Sequence, residues 1–371
     1  MTEWKECKLG EIAEILDFKR IPLSSMERAN RKGQYPYYGA SGIIDYLDDY
    51  IFEGEHVLIS EDGENLRSRQ TPIAFLADGK FWVNNHAHIV KSDYIHNRLI
   101  CYSFANTDLN PYITGAVQPK LSQDSLKRIP LFLPESLEER KEIVSILTSL
   151  DDKIDLLRRE NATLEAMAET LFRQWFVVEA KEDDVALGDV VKTTSGGTPS
   201  RKHAEYYENG SICWVKSKEL DGSFISSTEE LITEDAVSNS SAKMLPEKSV
   251  LIAMYGATVG EYGILSKPMT CNQAVCALIP NEKYPFTYLF VWAAMMKQEF
   301  INLATGAAQQ NISQDLIKQQ YVSGDVEKIK EYNSRVRSLF DKMENNQKQI
   351  QTLIQTRDRL LPRLMGGEIK I

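Results

Sequence analysis

His86 and His88 stand two residues apart, the spacing that puts two imidazoles on one face of a β-strand, where they could share a metal ion. No third ligand accompanies them in the sequence, so structural histidines are the plainer reading. Cys271 and Cys276 are five apart, which places them on opposite faces of a strand and makes them unsuitable as a ligand pair. Ser60-Glu61-Asp62-Gly63-Glu64 crowds three carboxylates, a set that a Mg²⁺-dependent nuclease would welcome; a turn between strands explains it more simply. Asn110-Pro111-Tyr112-Ile113 comes nearest to the Asn/Asp-Pro-Pro-aromatic motif that holds a flipped adenine, but it has one proline and no accompanying glycine-rich cofactor loop. No Gly-x4-Gly-Lys-Ser/Thr loop is present to cradle nucleotide phosphates. Neither a catalytic residue nor a metal ligand is expected in this chain.

The chain has 371 residues, enough for two domains, and 43% of them are hydrophobic. Its mean hydropathy is −0.33, and no stretch approaches the roughly 18 consecutive apolar residues of a membrane span. Met1-Thr2-Glu3-Trp4-Lys5 lacks the basic-then-apolar start of a signal peptide. Five scattered cysteines, Cys7, Cys101, Cys213, Cys271 and Cys276, argue against a disulfide framework and suit a reducing cytoplasm. The net charge is −10, and of four segments (1–136, 137–178, 179–325 and 326–371) only the last is net positive. Charge alone does not point to nucleic acid, because Lys and Arg on phosphate normally supply most of that affinity.

An internal repeat sets the architecture. Gly115-Ala116-Val117-Gln118-Pro119-Lys120-Leu121-Ser122-Gln123-Asp124-Ser125-Leu126-Lys127 aligns with Gly306-Ala307-Ala308-Gln309-Gln310-Asn311-Ile312-Ser313-Gln314-Asp315-Leu316-Ile317-Lys318, with seven of thirteen pairs identical at an offset of 191. Leu9-Gly10-Glu11-Ile12 repeats as Leu187-Gly188-Asp189-Val190. Each half closes on a heptad pattern. The first seam is Leu147, Leu150, Ile154, Leu157, Asn161, Leu164, Ala168, Leu171 and Trp175. The second is Val336, Leu339, Met343, Asn346, Ile350, Leu353, Arg357, Leu360 and Leu364, in the same register at an offset of 189. The polar members Asn161, Asn346 and Arg357 are the usual device for fixing register at some cost in stability. Segment 137–178 is net negative and 326–371 net positive, which suggests that the two helices pack on each other. The alternative is two amphipathic helices, each docked on its own globule. From Leu147 to Trp175 a helix spans about 42 Å. Short β-type runs at 56–59, 249–254 and 274–279 lie between turn signals in the two globular segments, and 179–184 is a charged linker.

At this point the sequence resembles the specificity subunits of type I restriction–modification systems. Tyr37-Tyr38-Gly39-Ala40-Ser41-Gly42, Glu61-Asp62-Gly63-Glu64-Asn65-Leu66 and Trp82-Val83-Asn84-Asn85-His86 are similar to one variety of target-recognition domain. Ser195-Gly196-Gly197-Thr198-Pro199-Ser200, Trp214-Val215-Lys216-Ser217-Lys218, Met254-Tyr255-Gly256-Ala257 and Asn272-Gln273-Ala274 are similar to another. The helix ends Leu171-Phe172-Arg173-Gln174-Trp175-Phe176 and Leu360-Leu361-Pro362-Arg363 match the family's spacer helices. The resemblance covers essentially the whole chain, and its strength lies in the order of these motifs in duplicate.

What it implies is an α+β protein in which two target-recognition domains (1–136 and 179–325) are separated by two long helices (137–178 and 326–371). The helices pair as an antiparallel coiled coil with pseudo-two-fold symmetry. Each domain would read half of a bipartite site on double-stranded DNA, with half-site centres about one turn, roughly 10–10.5 bp, apart. The helices would set the spacing and dock two modification (methyltransferase) subunits. S-adenosylmethionine is expected on those partners and no cofactor on this chain; ATP-dependent restriction subunits are further candidate partners. Rival readings are a scaffold that does not touch DNA, a self-contained enzyme, or a specificity subunit of a related system.

Base readout requires Arg, Lys, Asn or Gln held at base edges. The first half offers Lys19, Arg20, Arg28, Arg31, Lys32 and Gln34, then Asn65, Arg67 and Arg69. The second offers Thr198, Ser200, Arg201, Lys202, Lys216, Lys218, Tyr255 and Gln273. The duplicated loops 115–120 and 306–311 either touch DNA or brace the helix that follows.

Overall fold

The computed structural model describes residues 3–115, 117–178, 183–305 and 310–369. The chain divides into two compact units, Met1–Lys153 with Leu353–Ile371, and Ile154–Thr352. Two long helices, Leu137–Arg173 and Val326–Met365, each contribute to both units.

In the first unit the run His56–Ser60 is buried at every position. A strand apolar on both faces must lie inside a sheet covered on both sides, and it does. It sits between Ala87–Lys91 and Ala74–Ala77 in a four-stranded antiparallel sheet edged by Glu14–Ile15. On one face Val57, Ile59 and Val90 meet Leu99, Ile100 and Phe104 of the helix Tyr94–Asn106. On the other, Leu58 and Ile89 meet Phe81 and Val83 of a second sheet, ordered Gly42–Leu47, Lys32–Gly39, Lys80–Val83, Phe52–Glu53.

The second unit has a five-stranded sheet ordered Lys192–Ser195, Val275–Ile279, Val250–Ala253, Tyr262–Leu265, Phe224–Ile225. A smaller sheet places Ile212–Val215 between Leu231–Ile232 and Thr270–Cys271. Cys271 ends one strand and Cys276 lies in another. The expectation that they share a strand is corrected, because Asn272 and Ala274 turn the chain between them. Both thiols are buried, and desolvation pushes each up to about 12.

The two repeated motifs are packing partners of each other. The short helix Leu9–Ile12 lies on Gln123–Lys127, and Leu187–Val190 lies on Gln314–Lys318. Leu9 donates its N–H to the Ile129 carbonyl at 3.0 Å, and Leu187 donates to Gln320 at 2.8 Å. Ser122 and Ser313 cap the second helix of each pair by accepting from Ser125 and Leu316. A Cβ on Gly10 would stand 3.2 Å from Cβ of Lys127, and one on Gly188 would stand 2.8 Å from Cβ of Lys318. The repeat therefore preserves a bracket.

Both readings of the long helices hold, each on its own face. Within the second unit they run antiparallel. The Tyr332 hydroxyl donates to the Ala168 carbonyl at 3.1 Å, and Asn346 Nδ2 donates to Asn161 Oδ1 at 2.9 Å. Within the first unit Arg357 pairs with Asp151 at 2.9 Å. Leu147, Ile154, Leu157, Ala168, Val336, Met343, Asn346, Ile350 and Leu364 are buried; Leu150, Leu164, Leu171, Trp175, Leu339, Leu353 and Leu360 are half-buried. The other face docks on the globule: Phe340, fully buried, meets Phe286 and Phe290 edge-on at 5.7 and 5.5 Å. Burial of a side chain of that size is worth about 1.5–3 kcal/mol.

Candidate nucleic-acid interface

In the second unit, the strand Lys192–Ser195 ends in Gly196-Gly197, and the chain then threads between two backbones. Gly197 donates its N–H to the Cys271 carbonyl at 2.9 Å, and its own carbonyl accepts from the buried indole N–H of Trp214 at 3.0 Å. A Cβ on Gly196 would lie 2.1 Å from the Cys271 carbonyl oxygen, and one on Gly197 would lie 2.3 Å from the Ser241 backbone. Only glycine fits either position. The loop thus anchored presents Thr198, whose hydroxyl donates to Oε1 of Gln273.

Three cations join this rim. Arg201 lies over the rings of Tyr207 (4.1 Å) and Trp214 (5.5 Å) and pairs with Glu230 at 2.6 Å. Lys216 reaches Glu230 at 2.7 Å and Glu229 at 3.3 Å, and Lys218 reaches Glu229 at 2.7 Å. Ser200 and Lys202 are exposed beside them. Tyr255 is 42% exposed and follows Met254, whose N–H donates to the carbonyl of Ala274, the neighbour of Gln273. Thr198, Gln273, Arg201, Lys216 and Lys218 are thus brought together around Trp214 and the pair Glu229 and Glu230, with Ser200 and Lys202 flanking Arg201 in the chain.

In the first unit the candidates fall into three groups. Arg28 and Lys32 both hold Asp45, at 3.2 and 2.6 Å, and Arg31 holds Asp48 at 3.0 Å while lying over the Trp82 ring. Gln34 is exposed on the same strand, and Lys19 is exposed beside the Phe18 ring. A second group stitches loops together. Asn65 exchanges two hydrogen bonds with the Thr71 backbone, Arg67 donates to the Gly115 carbonyl at 2.9 Å, and Arg69 donates to the Ala105 and Thr107 carbonyls.

The third group gathers around Arg20, which donates to Glu61 at 2.5 Å and to the Ala87 carbonyl at 3.0 Å. Glu61 also pairs at 3.2 Å with Lys120, the last residue of the duplicated loop 115–120. His86 and His88 do not share a strand face: the strand begins at Ala87, and His86 pairs from the preceding turn with Asp62 at 2.9 Å. His88 is buried with Nδ1 2.5 Å from Asp17 and Nε2 2.7 Å from the Leu121 carbonyl.

Asp17, Glu61 and His88 bring three ligand-type atoms within 4.8 Å of one another, a third partner that spacing did not reveal. The set does not fit a cation. Both imidazole nitrogens are already engaged by oxygen atoms at hydrogen-bond distance, Glu61 is held by Arg20 and Lys120, and Asp17 also accepts the Ile89 N–H at 2.9 Å. The group is an internal ion cluster.

Burial alone would raise the Asp17 and Glu61 carboxyls. Hydrogen bonding from His88 to Asp17 and from Arg20 to Glu61 overcomes that and holds both below the usual carboxylate range. Acids with lowered values stabilise the fold above their ordinary values, and that stability is lost as pH falls through the lowered ones. Thermal melts should therefore show the first unit losing stability below about pH 4. Asp17→Asn, already weakened at neutral pH, should show a flatter acid limb; parallel limbs for the two proteins would contradict the cluster's role.

The duplicated loop is fastened to the turn at 61–67. Pro119 accepts from Gly63 at 3.0 Å, and Leu121 donates to Glu61 at 2.7 Å. Val117 is 98% exposed. Ala116 of this copy and 306–309 of the other lie outside the described residues.

These features define a class: a duplicated α+β protein with two long paired helices and, in its second unit, a polar rim on a glycine-anchored loop. A model of the type I restriction modification DNA specificity domain matches residues 1–166 and 181–324. The chain belongs to that family. It is similar to the type I restriction enzyme MjaIX specificity subunit of Methanocaldococcus jannaschii, 25% identical, covering 100% of this chain and 97% of that one. It is also similar to the HindI specificity subunit of Haemophilus influenzae, 24% identical over the full length of both. The crystal structure of an S subunit from M. genitalium shares the fold, with a TM-score of 0.60 at 14% identity over 98% of this chain and 96% of that one. The chain's role is DNA-sequence specificity, as a non-catalytic subunit that works with DNA and with the other subunits of a restriction–modification system. No helix among the described residues is long and apolar enough to cross a membrane.

Proposed function

We propose that each unit reads one half of a bipartite DNA site and that the paired helices set the distance between the halves and dock two modification subunits. In this reading the methyl donor, S-adenosylmethionine, is bound by those partners, and restriction subunits join the same assembly. The complex works in the cytoplasm. The observation that carries the reading is the rim of Thr198, Arg201, Lys216, Lys218 and Gln273. Its hydrogen-bonding and basic side chains stand on loops fixed by backbone contacts, as base and phosphate recognition requires.

The test is adenine methylation mapping of DNA from cells that express the neighbouring modification subunit with and without this chain. A bipartite motif that appears only with the chain is the expected result. Both proteins present and soluble, with no chain-dependent motif, would return the scaffold reading.

A further inference from the structure

We infer that Glu229 and Glu230 are specificity-determining residues of the second unit: they occupy its three rim cations in place of DNA phosphates and so suppress binding to non-cognate duplex. The inference rests on the proposal above that this rim faces DNA.

Two carboxylates serve three cations here. Glu230 bridges Arg201 (2.6 Å) and Lys216 (2.7 Å), and Glu229 bridges Lys216 (3.3 Å) and Lys218 (2.7 Å). Arg201, Lys218 and Glu229 are more than half exposed, at 57, 59 and 56%, so the cluster lies where a phosphate would approach. The acids are not loosely placed. The Glu229 N–H donates to Glu219 at 2.8 Å, and the Glu230 carbonyl accepts from Thr228 at 2.7 Å and from the N–H of Trp214 at 3.3 Å. Glu219 also accepts the Lys216 N–H at 2.8 Å, tying both loops to one side chain. Hydrogen bonds from Lys218 and Lys216 keep Glu229, and one from Lys216 keeps Glu230, below the usual carboxylate range, so both are charged at neutral pH.

A phosphate arriving at this rim therefore does not neutralise bare cations. It exchanges with a carboxylate already there, and the displaced carboxylate repels it. Counterion release, the sequence-independent part of DNA affinity, shrinks accordingly. The exchange becomes favourable when base contacts from neighbours such as Thr198 and Gln273 are made as well, which is discrimination by a repulsive element. An overall charge of −10 acts in the same direction.

The test uses the full chain assembled with its modification subunit and a labelled mixed-sequence duplex, titrated between about 50 and 200 mM salt. Glu229→Gln/Glu230→Gln is expected to raise non-cognate affinity about tenfold at the low-salt end and to steepen the log–log salt slope by about one to two. The ratio of cognate to non-cognate affinity should fall. Unchanged non-cognate affinity and slope would overturn the inference. Arg201→Ala/Lys216→Ala/Lys218→Ala separates the two ideas. If it weakens cognate binding while the glutamine pair changes nothing, the rim faces DNA and the acids are bystanders. If it leaves cognate binding intact, the rim assignment falls and the inference with it. Should the glutamine pair fail to fold, Glu229→Gln alone, at an exposed position, is read by the same slope.

Discussion

Asn346→Asp is expected to destabilise the second unit by about 3–5 kcal/mol, a drop of roughly 10 °C in its melting midpoint. Asn346 is fully buried in the helix seam, and its amide nitrogen donates to Glu160 at 2.8 Å and to Asn161 Oδ1 at 2.9 Å. The substitution removes the donor and leaves acceptor oxygens facing one another at hydrogen-bond distance. Lys342, 3.5 Å from the opposite oxygen of Glu160, offsets only part of the repulsion. Burial and the neighbouring carboxylate both raise the new acid above its ordinary value. The penalty is thus complete above the raised value and shrinks as pH falls through it. The gap in melting midpoint between the two proteins should narrow on acidification, and a gap that stays constant would mean that charge is not its origin. Asn346→Leu is the contrast: it also leaves Glu160 and Asn161 Oδ1 without their donor but adds no charge, so it should cost less, about 1–3 kcal/mol, with a gap in melting midpoint that does not narrow on acidification.

Asn161 and Asn346 were legible as seam residues because a 3.5-residue period is a local property of the sequence. Phe172 and Phe340 were not, although both are buried. They lie off that seam, on the faces that meet Tyr288, Phe286 and Phe290, and a single heptad stripe hides a second apolar face. The repeat was equally visible, yet nothing in it says that Gly10 exists to make room for Lys127. Two copies of a motif advertise constraint without naming the contact.

Charge was the least readable layer. Lys32 and Asp45 are 13 residues apart, Arg20 and Glu61 are 41 apart, and Arg201 and Glu230 are 29 apart. A basic cluster in the sequence therefore gave no sign that the fold would neutralise it. His88 finds Asp17 from 71 positions away, so the histidine spacing taken alone was uninformative. This pairing also accounts for basic recognition loops in a chain whose balance is acidic: many of the candidate cations meet a carboxylate of their own unit. Where these loops face DNA as proposed, the pairing would hold down affinity for arbitrary duplex and leave sequence contacts to decide the outcome.

Gly197→Val should cost the second half-site at least tenfold in recognition while the first is still read. The added Cβ would stand 2.3 Å from the backbone carbon of Ser241 and 2.4 Å from its carbonyl oxygen, inside any tolerable contact. Neither is the free end of a flexible side chain, so the loop itself must move. Its movement draws the Gly197 carbonyl away from the Trp214 indole N–H, a buried donor with a cost of about 1–3 kcal/mol when left without a partner. It also carries Thr198 off Gln273 and shifts Arg201 from the Trp214 ring. The five-stranded sheet lies behind this loop, with Ser195 already paired to Cys276, so the unit should remain folded with a modest loss of stability. Gly197→Ala should behave almost as badly, since the clash is made by the first carbon. Methylation mapping reads the result directly: the motif should keep one half-site and degenerate at the other. If Gly197→Val preserves both halves, the loop does not read DNA, and the rim must be sought elsewhere on the second unit.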